Sequence, residues 1–148
     1  MILLDTNLLA RITNSKHPQC AASRRALGVL LAQGEKLIIV PQNLYEFWAV
    51  ATRKPGAPPA GQNGLGMTSN QASLWLRYFQ RRFQLLRDHV DLVDYWHALV
   101  KTHDIKGLKA HDARLVAAMQ THNISRILTF NASDFRVFPV TVIDPISV

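Results

Sequence analysis

Four short β-type runs, Ile2 to Leu4, Leu37 to Val40, Arg126 to Phe130 and Val140 to Ile143, alternate with stretches of helical periodicity, and this alternation restricts the chain to few folds. It specifies a parallel sheet with helices on its faces. Pro18 to Gln33 reads as a helix with Ala22, Ala26, Val29 and Leu30 at helical spacing, ended by Gly34. A second helix runs from Gln42 to about Arg53 with Leu44, Phe47, Trp48 and Ala51 as its apolar stripe, and a third spans Thr68 to Phe83 through Ala72, Trp75, Leu76 and Phe79. Leu85-Leu86 is a candidate further strand, and Asp91 to His103 a further helix. The segment Lys54 to Met67, rich in proline and glycine, reads as a loop. With 148 residues, 48% of them hydrophobic, one domain over residues 1–148 is expected, with a core of its own.

In open α/β sheets ligands bind beyond the carboxyl ends of the strands, so polar residues at those ends are site candidates. Asp5-Thr6-Asn7 follows the first run directly, and Glu46 lies about one turn into the helix after the second. Asp112 stands near the start of a helix continuing through Leu115, Ala118 and Met119, and Asp134 follows the run that ends near Phe130. Right-handed crossovers would bring these positions to one edge. Carboxylates crowded without a close cation repel one another, and hard divalent cations relieve that cost. Magnesium or manganese is the cofactor this chemistry favours, with Asn131 as an additional oxygen donor. Each acid alone also fits a structural role: Asp5 as a cap, Asp112 as a charge at a helix N-terminus, Glu46 as a solvated helix residue, Asp134 in a turn.

The formal net charge of +7 and pI of about 10.1 attract phosphate polymers, so nucleic acid is the natural partner. Arg53, Lys54, Arg77, Arg81, Arg82 and Lys109 are the candidate phosphate contacts. The single cysteine, Cys20, allows no internal disulfide and fits a small buried apolar residue. No run is long enough to span a bilayer, and the expectation is a soluble cytoplasmic protein. Other chemistries lack their residues. The second aspartate of a haloacid-dehalogenase-like phosphatase is replaced by Asn7, the six histidines have no zinc-ligand spacing, and there is no phosphate-binding Walker loop.

Four segments in order, LLDTN, VPQNLYEFWAVATR, KAHDARLVAAM and ILTFNASDF, resemble the PIN domain family, metal-dependent ribonucleases that include the VapC toxins of bacterial toxin-antitoxin pairs. The resemblance covers nearly the whole chain. It implies a PIN-like α/β/α sandwich with a central parallel sheet, and Asp5, Glu46 and Asp112 as an acidic metal-binding triad. Asp134 is the expected fourth acid, with Asn131 nearby as a neutral ligand or hydrogen-bonding group. Thr6 and Thr129 look like the family's small hydroxyl positions, and Asn7 would orient Asp5. The resemblance implies an endoribonuclease toxin acting on RNA, an antitoxin partner and a homodimer, to which the faces bearing Trp75, Phe79 and Trp96 lend loose support. The alternative is a non-catalytic RNA-binding or scaffold domain of the same fold.

Overall fold

The computed structural model describes residues 1–56 and 64–148. Positions 57 to 63, inside the predicted loop Lys54 to Met67, lie outside the described residues. Five strands, β1 (Ile2–Leu4), β2 (Leu37–Ile39), β3 (Gln84–Leu85), β4 (Arg126–Leu128) and β5 (Thr141–Ile143), form one parallel sheet in the order β3-β2-β1-β4-β5. Helices α1 (Thr6–Thr13), α2 (Cys20–Ala32), α3 (Pro41–Thr52), α4 (Ser69–Arg82), α5 (Leu92–Thr102), α6 (Lys109–Thr121) and α7 (Ala132–Phe135) connect them.

Alternation along β1 divides the core in two. Ile2 and Leu4 point to the face covered by α1 to α4, where they meet Leu8, Leu9, Leu30, Phe47 and Phe79, while Leu3 points to the opposite face among Leu99, Val116, Met119 and Phe135. A central strand covered on both faces has no solvent side, which is why its sequence is continuously apolar. This is the expected α/β/α sandwich. In the first core Phe47 and Phe79 meet edge to face with ring centroids 4.9 Å apart, joining α3 to α4.

Two helices have no counterpart in the sequence reading. Thr6–Thr13 begins with residues that suit a turn, yet Leu8, Leu9 and Ile12 bury against the core, and that burial carries the segment into a helix. Asp134 lies in the first turn of α7 rather than in an open turn. On α2 the buried face is Cys20, Ser23, Ala26, Leu27 and Leu30, rotated from the expected one so that Ala22 and Val29 lie at its margin. Ser23 tolerates burial because its hydroxyl donates to the Gln19 carbonyl at 2.8 Å. The chain returning toward α4 closes the C-terminal end of α3. The N–H groups of Leu65, Gly66 and Met67 donate to the carbonyls of Val50, Arg53 and Ala51, which a helix end otherwise leaves unpaired.

Candidate functional site

The strand order places a topological switch point beside β1. From β1 the chain moves outward through β2 to β3, then returns to the other side of β1 for β4 and β5. Loops leaving β1 and β4 therefore diverge, opening a crevice at their carboxyl ends. Asp5 follows β1, and Thr129 follows β4. The Thr129 hydroxyl donates to Asp5 Oδ2 at 2.6 Å and bridges the crevice. It accepts in turn from Asn7 Nδ2 at 3.2 Å and from the Asn131 backbone N–H at 2.9 Å.

Asp5 occupies the N-cap position of α1 but makes no side-chain capping bond. Its carboxylate is instead drawn to Thr129 and to Asn7 Nδ2, 2.6 Å from the same oxygen. Burial pushes Asp5 up from the ordinary 3.8 to about 6, against the Thr129 bond that lowers it, with the charge of Glu46 raising it further. Glu46 is held at both oxygens. Thr6 donates to Oε2 at 2.6 Å, and Gln42 Nε2 donates to Oε1 at 2.7 Å. It is therefore not the freely solvated helix residue that position alone would also allow.

Asp112, half-buried in the first turn of α6, is likewise pushed up from 3.8 to about 6. Desolvation is the largest cause, followed by the charges of Asp134, Asp5 and Glu46, while Lys109 opposes them. Four acids separated by up to 129 positions (134 − 5) in the sequence thus share one electrostatic neighbourhood. Cations lie in the wider field of these acids without forming an ion pair to them among the described residues. Arg11 on α1 is lowered first by burial, with the charge of Asp5 opposing, and its Nε donates to Gln19 Oε1 at 2.9 Å. The ion pairs among the described residues engage other acids, Glu35, Asp88, Asp91 and Asp104.

The predicted residues are not equally placed. Asp5, Glu46, Asp112, Asp134, Thr6, Asn7 and Thr129 are brought to one end of the sheet, whereas Asn131 contributes its backbone N–H and has an exposed side chain. A cavity of about 470 Å³ opens between α1, which contributes Thr6, Asn7 and Arg11, and α3 with its C-cap, which contribute Glu46 and Arg53. A larger cavity of about 680 Å³, between α2 and α4, is lined by Leu27, Leu74, Trp75 and Tyr78 and holds none of the acids. Of the four acids, Glu46 lines the smaller cavity. Of the predicted phosphate contacts only Arg53 lines it; Arg77, Arg81 and Lys109 are exposed, and Arg82 borders the larger cavity.

Hard oxygen donors held in mutual repulsion suit magnesium or manganese. The Asn7 Oδ1 atom adds to that fit, since it is buried without a hydrogen-bond partner in a residue that lines the smaller cavity, a costly condition that a cation or its water would relieve. As the side chains stand, no three Asp, Glu, His or Cys groups among the described residues form a ready ligand set. The fit is one of donor chemistry and charge.

Sequence reasoning missed Gln42, Asn43 and Arg11. Asn43 is fully buried, accepts from the Val40 N–H at 2.8 Å, and donates to the Leu4 carbonyl at 3.0 Å and to Thr6 Oγ1 at 3.2 Å. It ties the end of β1 to the start of α3. Gln42 lies one helical turn before Glu46 on the same face, and that spacing is the signal that could have found it.

A central parallel five-stranded sheet flanked by helices matches the PIN-like α/β/α fold. The family model for the PIN domain matches residues 2–139, and the chain belongs to that family. Among solved structures it is similar to VapBC2 from Rickettsia felis, bound to a DNA fragment from its promoter, with a TM-score of 0.69 and 19% identity over 97% of this chain and 98% of that one. It is similar to FitAcB from Neisseria gonorrhoeae, with a TM-score of 0.68 and 16% identity over 100% of both chains. A third is VapC20 of Mycobacterium tuberculosis, a Sarcin-Ricin loop cleaving toxin, with a TM-score of 0.65 and 17% identity over 95% of this chain and 98% of that one. At such identities these likenesses speak to the fold. No curated protein sequence matches the chain. Among the described residues no helix is long and apolar enough to cross a membrane.

Proposed function

We propose that this chain is a metal-dependent endoribonuclease, the VapC-like toxin of a toxin-antitoxin pair, acting as a single cytoplasmic domain. The observation that carries the reading is the shared field at the switch point. Asp112 is raised by desolvation first and then by the charges of Asp134, Asp5 and Glu46, while Thr129 and Asp5 bridge the diverging strands. Asp5, Glu46, Asp112 and Asp134 would hold magnesium or manganese, with Asn7 Oδ1 and Asn131 as neutral donors nearby. Such an ion, when bound, supplies a water of lowered pKa and neutralises charge at the phosphodiester.

The chain's own groups do the positioning. Thr129 and Asn7 hold the buried Asp5 carboxylate, and Thr6 and Gln42 hold both oxygens of Glu46, so neither acid can swing freely. Arg11 and Arg53, in the lining of the same cavity as Glu46, are suited to receive the RNA backbone, and the net charge of +7 draws RNA toward them. The toxin-antitoxin assemblies among the similar structures support an antitoxin partner, and a homodimer accords with exposed apolar residues such as Leu74 and Tyr78.

A second reading, a non-catalytic RNA-binding or scaffold domain, draws on the absence of a ready ligand set among the described residues. One assay separates the two. A tRNA pool is incubated with wild type, Asp5→Asn and Asp112→Asn in magnesium, manganese or excess chelator. Metal-dependent cutting by wild type, lost in both variants, is the expected result. Cutting that persists in the variants, or a wild type inactive with both ions, overturns the catalytic reading.

A further inference from the structure

Gln42 makes a set of contacts that the acids alone do not explain. Its side chain is 95% buried at the first turn of α3, and every polar atom of its amide is used. Nε2 donates to Glu46 Oε1 at 2.7 Å and to the His111 carbonyl at 2.9 Å, while Oε1 accepts from Arg114 Nη1 at 2.8 Å. The amide orientation is unambiguous. Turned over, it would set its oxygen against a carboxylate and a carbonyl and its NH2 group against a guanidinium. The other arm of Arg114 donates to Asp88 Oδ2 at 2.7 Å, so the guanidinium is braced at both ends.

The consequence is spatial. Glu46 belongs to α3, and His111 immediately precedes Asp112 on α6. One amide group therefore touches a candidate ligand directly and the backbone beside another, joining two helices that pack into the cores on opposite faces of the sheet. Resting on the ribonuclease reading above, we infer that Gln42, braced by Arg114 and Asp88, is a positioning residue that sets the separation of Glu46 and Asp112 for the divalent ion. Arg114 acts through Gln42 by fixing the plane of its amide. Neither residue touches RNA in this role.

The test measures metal binding apart from catalysis. Gln42→Met keeps side-chain length without the amide, and Arg114→Met removes the brace while leaving Gln42 in place. Manganese affinity is measured by calorimetry on protein without RNA, and kcat and KM on a cleavable RNA. Loss of an outer contact to a metal ligand ordinarily weakens affinity or activity by about 10- to 100-fold. The expected result for Gln42→Met is a manganese Kd about tenfold higher and a kcat about tenfold or more lower, with RNA KM within about twofold of wild type. Arg114→Met shifts the same quantities in the same direction by less, and Arg114→Lys recovers part of the loss. Should Gln42→Met fail to fold, the arginine pair decides.

Variants that melt at lower temperature yet keep the wild-type manganese Kd and kcat would reduce this network to a structural one and overturn the inference. A change confined to KM would overturn it too, since that marks an RNA contact. If wild type itself neither binds manganese nor cuts RNA, the ribonuclease reading falls and takes this inference with it. If wild type does both and Gln42→Met matches it, this inference falls alone.

Discussion

Replacing Asp112 by asparagine should make the metal-free protein more stable, because the aspartate is held where its charge is unwelcome. In the folded protein its value is pushed from 3.8 up to about 6, by desolvation first and by Asp134, Asp5 and Glu46 next. That gap corresponds to about 3 kcal/mol at roughly 1.4 kcal/mol per pK unit. Asp112 is half-buried, so solvent screening reduces the figure to about 1.5–2 kcal/mol. Removing a negative charge from the first turn of α6 gives back about 0.5 kcal/mol of favourable dipole interaction. A net gain of about 1–1.5 kcal/mol remains. A raised folded-state value means the folded protein holds the proton more tightly. The contribution of Asp112 is therefore complete below about pH 4 and is lost as pH rises through about 6. Urea unfolding in chelator, at intervals from pH 4 to 8, should show wild type falling progressively below Asp112→Asn across that window and then running parallel to it. A variant no more stable than wild type at pH 7.5, or a gap that ignores pH, would refute the reasoning.

Other expectations follow from packing. Phe79→Ala removes the ring that joins Phe47, Trp75 and Phe83 and should cost about 3–5 kcal/mol, read from the urea midpoint; a cost below about 1 kcal/mol would mean the aromatic cluster is loosely packed. Gly64→Ala places a Cβ 2.3 Å from the Arg53 carbonyl oxygen, a backbone atom that cannot step aside, so the closure on α3 should loosen. Faster amide exchange at Leu65, Gly66 and Met67 is the readout, and unchanged protection there would count against the placement. RNA binding by a chelated, uncleaving sample should weaken steeply between 50 and 200 mM salt, as phosphate contacts require, whereas a flat response would remove the arginines from the interface.

How much of this could be read beforehand depended on range. Four strands and five helices were legible, and β3 in part through Leu85, because each announces itself within its own residues, as the short apolar run Ile2 to Leu4 and the periodic stripe through Phe47 and Ala51 do. Helix α1 was not, since Asp5, Thr6 and Asn7 have turn-forming side chains and only burial of Leu8, Leu9 and Ile12 favours the helix. Helix α7, four residues long, is too short to display a period. The candidate acids could be proposed from strand-end positions, whereas Gln42 takes its role from Arg114, 72 residues further on, which no local pattern contains. Arg11 was passed over because a cation in the chain is ordinary until the fold sets it in the lining of the cavity that holds Glu46.

Asn43 marks where folding and the candidate site cannot be separated. It bonds the Leu4 carbonyl at the end of β1 and the Val40 N–H before α3, and the Thr6 hydroxyl that it contacts is the donor holding Glu46 Oε2. Asn43→Ala leaves the Val40 N–H and the Leu4 carbonyl buried without this partner, a loss of about 2–4 kcal/mol from two unsatisfied groups and a cavity. The Thr6 hydroxyl would also lose the contact that orients it. Stability and any activity should then fall together, and a second site that restores stability should restore only part of the activity. Asp112→Asn should do the reverse, raising stability while activity is lost. If Asn43→Ala cut RNA at the wild-type rate once stabilised, the Asn43–Thr6–Glu46 chain would carry no functional geometry, and the coupling inferred from these distances would be wrong.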